Sequence, residues 1–233
     1  MIKKILALAI VCTSVSGLKA QTNKIEMITD SGRIVIMLYD NTPKNSGNML
    51  KNAKEHVYDS TMFHRVIPQF MIQGGDTTSR HARPGMPLGM GGLGYTVPAE
   101  INDSDFHKRG AVAVARTNTP DKSGSACQFY IVVGKRCTDP ELDNIARQKG
   151  LHYTEKQKEI YRTQGGTPHL DGDYTVFGEV VEGMDVVDKI VSVPCDRSNI
   201  PKGDIRMLSV RVLEPAVQKK KWGFFSFLKR HKN

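Results

Sequence analysis

Apolar positions in this chain fall mostly into short alternating runs, with few long helical stripes. Lys24–Thr29 and Arg33–Leu38 read as two strands, and Asp30-Ser31-Gly32 between them is a turn signal that makes a hairpin. Further runs of this kind occupy Ala111–Arg116, Gln128–Val133, Tyr174–Val181 and Ile205–Leu213, all short and rich in β-branched or aromatic residues. Between Phe63 and Gln73 the pattern fits two short strands meeting near Pro68 and Gln69. Alternation places Phe63 and Arg65 on one face, with Phe70, Met71 and Gln73 close beside them. Gly74 and Gly75 then permit a sharp turn.

Helical signals are fewer. Thr42 followed by Pro43 is an N-cap and first-turn pair that opens a helix to about His56, and Met184–Val191 forms a second short one. Asp139–Arg162 has helical composition. Glu141, Leu142, Ile145 and Ala146 give one stripe there, and Ile160 and Tyr161 contribute to another. Thr77–Gly94, rich in Gly, Pro and Arg, reads as loop. Many strands, few helices and turn signals throughout predict a mainly β protein closed into a barrel.

Composition adds one domain with appendages: 233 residues and 39% apolar content support a single real core. Residues 1–20 read as a secretory leader, with Lys3 and Lys4 before the apolar run Ile5–Val15 and a cleavage site at Leu18-Lys19-Ala20. That run is too short to span a bilayer. The formal charge of +9 suggests nucleic acid until its placement is considered. Three basic residues lie in 1–20 and six in 218–233, neither segment holds an acid, and the body 21–217 keeps 24 basic against 24 acidic residues. A neutral body argues against a nucleic-acid partner. Residues 218–233 place Trp222, Phe224, Phe225, Phe227 and Leu228 between basic clusters, which suits either a membrane surface or an unpacked tail.

Other signals lead nowhere. Gly89–Gly94 matches G-x-G-x-x-G, yet no strand closely precedes it and no helix follows, so a flexible loop is expected and not a dinucleotide site. No close Cys and His pair stands at zinc spacing, so neither metal nor cofactor is expected. His64 has no activated nucleophile or orienting carboxylate nearby in sequence and is read as a packed, hydrogen-bonded histidine. Cys127, inside a strand pattern, reads as a small buried hydrophobe.

The segment FHRVIPQFMIQGGD, Phe63–Asp76, sets one Arg, one Gln and several large apolar side chains within a dozen residues. That is the makeup of a pocket with one charged donor. It closely resembles the signature of the cyclophilin family of peptidyl-prolyl isomerases. The resemblance continues at GSACQFYIVVG, Gly124–Gly134, and at HLDGDYTVFGEVVEGMDVV, His169–Val187. It spans about Lys24–Leu213, apart from an insertion over 139–166 where shorter members have a brief loop, and it implies an eight-stranded antiparallel barrel capped by two helices. The insertion is either a surface decoration or a wall that narrows access to the pocket.

By this resemblance Arg65 is the catalytic donor, and Phe70, Met71, Tyr130 and Leu170 wall a hollow for the proline ring. Gln73 holds a substrate carbonyl, Gln128 supports Gln73, and the backbone near Ala115 and Arg116 pins the peptide. His169, Tyr174, Arg116 and Tyr130 stand where many cytosolic members have Trp, His, Asn and Phe, which alters the rim and puts strong cyclosporin binding in doubt. In such a fold the loops carrying Cys137 and Cys195 are neighbours, so a disulfide between them and two free thiols are both open. The expected activity is Xaa-Pro isomerisation, with proline-containing peptides and unfolded exported proteins as partners. The protein is expected to be a monomer, exported to the periplasm or secreted; for its tail, contact with a membrane surface and an unpacked state are both open.

Overall fold

A computed structural model describes residues 23–83 and 85–214. The leader expected over 1–20 and the tail expected over 218–233 lie outside the described residues. β1 (Lys24–Thr29) and β2 (Gly32–Leu38) form the anticipated hairpin, with Ile25 paired to Ile36 and Met27 to Ile34. The remaining strands are β3 (Phe63–Ile67), β4 (Met71–Gly74), β5 (Thr96–Val97), β6 (Ala111–Val114), β7 (Gly124–Ser125), β8 (Phe129–Val132), β9 (Val176–Glu182) and β10 (Met207–Val212). Eight of them form one antiparallel sheet in the order β10-β1-β2-β9-β6-β8-β4-β3, while β5 and β7 pair separately.

The sheet curls into a half-barrel, and this corrects the expectation of full closure. Its two edge strands are joined by a single bridge, Met62 to Arg206, with Phe63 N–H donating to Ile205 O at 2.9 Å and Met207 N–H to Thr61 O at 2.8 Å. The residues that meet there lie at or just beyond the strand ends, so the seam is too short for a ladder.

Two helices close the ends, as expected. α1 (Pro43–Lys54) buries Met49, Leu50 and Ala53, and α4 (Met184–Val191) buries Val186, Val187, Ile190 and Val191, all against the main core. Thr42 does precede α1, but its hydroxyl donates to Tyr39 O and caps no helical N–H. The cap comes from Glu100, whose carboxylate accepts from Lys44 N at 3.0 Å and Asn45 N at 2.9 Å, where the helix dipole favours negative charge.

The insertion is two helices, α2 (Asp139–Lys149) and α3 (Glu155–Thr163), each opened by a capping box, Thr138 with Glu141 and Thr154 with Gln157. Gly150, at φ 67°, breaks the helical stretch. From the two stripes Leu142 and Tyr161 become fully buried and Ile145 stays partly exposed.

Strand alternation separates two apolar faces. Ile36, Ile72, Val112, Val114, Phe129, Ile131 and Phe177 fill the interior, each burial contributing roughly 1.5–3 kcal/mol. Their neighbours Met71, Ala111, Ala113, Tyr130, Val132 and Val176 form a second cluster on the outer side, with Phe70, Ala115, Leu170 and Tyr174 packed against it. Both faces of β6 and β8 are covered, which is why their sequences carry no polar alternation.

All three described cysteines are free, so the Cys137–Cys195 alternative is set aside in favour of thiols. Cys137 packs with Leu142 and Tyr161 under the insertion, while Cys195 packs against the barrel core with its thiol toward Val66 O. Cys127 is buried in that core, as its strand context implied.

Candidate active site

The outer cluster encloses a hollow of about 110 Å³ lined by Arg65, Phe70, Met71, Gln73, Ala115, Arg116, Tyr130, Leu170 and Tyr174. Its floor comes from adjacent strands: register pairs Gln73 of β4 with Tyr130 of β8, and Tyr130 with Ala113 of β6. Leu170 arrives on a 3₁₀ turn over Pro168–Leu170, and Tyr174 follows it.

Arg65 reaches the hollow because β3 is bulged. The register moves from Phe63 opposite Gly74 to Arg65 opposite Gln73, so two residues face one step of β4. Phe63 consequently enters the interior, fully buried, and Arg65 stays exposed, which corrects their expected shared face. His64, at the bulge, is buried but neither ring nitrogen has a hydrogen-bond partner, contrary to the hydrogen-bonded state expected. Burial holds its imidazole below the usual histidine range, which keeps it neutral.

A chain of amides aims the guanidinium. Arg65 Nη1 donates to Gln73 Oε1 at 3.4 Å, Gln73 Nε2 to Gln128 Oε1 at 3.1 Å, and Gln128 Nε2 to the carbonyls of Gly89 at 2.9 Å and Gly91 at 2.8 Å. That loop rests on Asp76, a fully buried carboxylate accepting from Thr78 N at 2.7 Å and Gly89 N at 2.5 Å. Burial alone would raise the Asp76 carboxyl, but hydrogen bonds from Thr78, Gly89 and Gly91 outweigh it and hold the group below its usual range. A Cβ on Gly91 would lie 2.0 Å from Asp76 Oδ1, so the glycine-rich stretch serves close approach to a carboxylate and not to a phosphate. Among the described residues no carboxylate pairs with Arg65, so its charge is free for a substrate.

Ala115 and Arg116 divide their work differently from expectation. Ala115 N–H donates to Gln128 O and its carbonyl accepts from Ser125 N, so both groups belong to the fold. Of the two residues, Arg116 makes no main-chain hydrogen bond within the described residues, and its main chain remains for a peptide. The Arg116 side chain is tied back by Nε to Asp173 O at 2.8 Å and lies over the Tyr174 ring at 4.8 Å. Gln128 stands behind Gln73 and outside the lining, and His169 stacks on Phe70 at 5.6 Å on the flank of a neighbouring groove. Burial holds His169 below the usual range too, with His107 and Lys149 adding to it. Among the described residues no cluster of three His, Cys, Asp or Glu side chains is placed to hold a metal.

Sequence reasoning missed Asp76, although it ends the quoted block, and the Tyr130 hydroxyl, which meets buried His107 behind the hollow at 3.0 Å. A polar hydroxyl in an apolar strand was the available signal for the second.

The comparisons agree with this geometry. The family model for cyclophilin-type peptidyl-prolyl cis-trans isomerases matches residues 24–212. The chain is 34% identical to a peptidyl-prolyl cis-trans isomerase of Acinetobacter baylyi over 81% of its own length and 84% of that protein. It is 33% identical to a Staphylococcus aureus protein named for the same activity, over 82% and 92%. At 33% identity it matches only 39% of a Streptococcus pyogenes protein whose name also includes a phosphatase. The crystal structure of a Cryptosporidium parvum cyclophilin-type isomerase, determined in the presence of the dipeptide Ala-Pro, shares the fold at TM-score 0.59 and 23% identity, covering 82% of this chain and 99% of that one. The chain belongs to the cyclophilin-type peptidyl-prolyl cis-trans isomerase family and is an isomerase of that class.

Proposed function

We propose that this isomerase acts on Xaa-Pro bonds of exported proteins as they fold, with Arg65 as its catalytic residue. The barrier to rotation is conjugation, about 18–20 kcal/mol, which the imide nitrogen's lone pair sustains by delocalising into the carbonyl. At the twisted midpoint that lone pair localises on nitrogen. A donor aimed at nitrogen therefore binds the transition state better than either planar isomer. The observation that carries this role is the exposed guanidinium, unpaired by any carboxylate among the described residues and oriented by Gln73 at the edge of the hollow.

The proline ring enters between Phe70, Met71, Tyr130 and Leu170, where burial excludes water and strengthens the guanidinium contact. Gln73 and the main chain of Arg116 fix the residue before proline, so that only one side of the bond turns. Support for export comes from the leader pattern of residues 1–20, and support for surface attachment from the basic-aromatic residues 218–233.

The test is the isomerisation rate of an Ala-Pro peptide with the parent protein and its Arg65→Ala variant. Loss of about 100-fold is expected, corresponding to roughly 3 kcal/mol of transition-state stabilisation. A parent that binds the peptide without accelerating exchange would leave a proline-reading adaptor. Fractionating cells that express the chain with and without residues 1–20 tests export, and sedimentation with anionic vesicles, with and without residues 218–233, tests attachment.

A further inference from the structure

Behind the hollow, three segments of the chain converge on one carboxylate. Asp171 directly follows Leu170, is 7% exposed, and accepts four hydrogen bonds. Its Oδ1 takes the His107 backbone N–H at 2.9 Å and His107 Nδ1 at 2.7 Å. Its Oδ2 takes the hydroxyls of Tyr153 at 3.0 Å and Tyr161 at 2.5 Å. A carboxylate offers about four lone-pair sites, so none is left over. His107 is fully buried, and its Nε2 meets the Tyr130 hydroxyl at 3.0 Å. Because the carboxylate only accepts, Nδ1 carries a hydrogen, and Nε2 accepts from Tyr130 whenever the ring is neutral. Tyr130 thus lines the hollow with its ring while its hydroxyl is held from behind.

Tyr153 and Tyr161 both belong to the insertion. Burial first, and the Asp171 charge second, push both phenols well above their usual range, so they remain donors at any working pH. Lys149, at the end of α2, adds a second grip: its Nζ donates to the carbonyls of His169 and Asp171, both at 2.7 Å, and pairs with Asp173 at 2.6 Å. The Tyr153 hydroxyl, whose single hydrogen goes to Asp171, also lies 3.2 Å from Pro168 O. Three insertion residues therefore hold the turn that presents Leu170.

We propose that the insertion is part of the proline site, with Asp171 as a positioning residue. It sets the Tyr130 ring through His107 and the Leu170 wall through the main chain, and thereby sets how tightly the proline ring is held. This rests on the hollow being the proline pocket. Small displacements of such a wall weaken its hold on the ring, because a gap of an ångström or less already forfeits much of the contact energy.

The experiment measures kcat and KM for the Ala-Pro peptide in the full-length protein, in Tyr161→Phe, in Tyr130→Phe and in the double variant. Each single change is expected to raise KM about fivefold with kcat little altered, a size usual for coupled neighbours. The double variant is expected to stay within about twofold of Tyr130→Phe alone, because the two hydroxyls act along one chain. If the single variants lower the melting temperature while KM and kcat stay put, the insertion is only a scaffold and the proposal falls. If the two effects multiply, coupling through Tyr130 is refuted. Should Tyr161→Phe fail to fold, Lys149→Met, which frees the same turn from outside, replaces it, and an unchanged KM there is equally fatal. A parent that is inactive, or indifferent to Arg65→Ala, would instead overturn the pocket itself.

Discussion

The two rims of the hollow are built on opposite plans. On the Arg65 side an exposed cation is steered by a relay of neutral amides, Gln73 and Gln128, ending on a loop pinned by Asp76. On the Tyr130 side a buried ring is fixed by a saturated carboxylate, with the insertion packed behind it. The difference follows from what each rim must do. A donor that meets a moving nitrogen has to stay accessible and adjustable, so its support is a few net-weak hydrogen bonds near water. A wall that recognises a rigid ring gains from being immobile, and buried, fully satisfied networks supply immobility.

The largest expected effect breaks the exposed rim at its end: Arg65→Ala should cost about 100-fold in kcat/KM while the melting temperature barely moves, since the side chain is exposed and makes one long hydrogen bond, to Gln73, with no carboxylate paired to it among the described residues. Circular dichroism on the same samples separates lost chemistry from lost fold. Next comes Gly91→Ala. Its Cβ, 2.0 Å from Asp76 Oδ1, must displace the loop and remove an acceptor from Gln128, so kcat/KM should fall about tenfold, together with a measurable drop in melting temperature.

A third prediction concerns acid. The Asp76 carboxyl is held below its usual value, so its contribution to stability is present above the unfolded pKa of about 4 and is lost as pH falls through the lower folded value. Between pH 5 and pH 2, to order of magnitude in proton activity, the melting temperature of Asp76→Asn should fall less steeply than the parent's, which calorimetry across that range checks. The smallest effect is expected at His169. Its ring stacks on the far side of Phe70 and does not line the hollow, so His169→Ala should change kcat/KM by less than about twofold. A larger loss would extend the rigid rim beyond Leu170.

Much of this was legible in the chain because it is local. Alternation in Lys24–Leu38 gives the hairpin, and Pro43 and Met184–Val191 give the capping helices. The Phe63–Asp76 block places Arg65, Met71 and Gln73 on one paired ladder and Phe70 in the turn that joins its strands. What was not legible depends on partners distant in sequence. The bulge that parts Phe63 from Arg65 is a register relation with β4, and a strict period of two misses it. Thr42 carries a cap signature, yet Glu100 delivers the cap from beyond β5. Asp171 lay in a quoted block without a role, because its partners at 107, 153 and 161 come from different segments. Closure failed as an expectation for a related reason: strand count and alternation do not specify whether the last edges meet along their length.

The pairing of β1 with β10 has a mechanical side. Ile25 stands opposite Val212, and Leu213 N–H donates to Lys24 O, so the described domain begins and ends on two adjacent antiparallel strands. Tension applied between its ends would load that ladder one pair at a time, peeling it like a zipper from the Lys24 end and not shearing all its bonds together. A domain held by both ends would therefore yield at low force, whereas one held by a single end would feel no load across its sheet. The same adjacency makes the two ends natural points to join by a short linker, with new ends opened in an exposed loop.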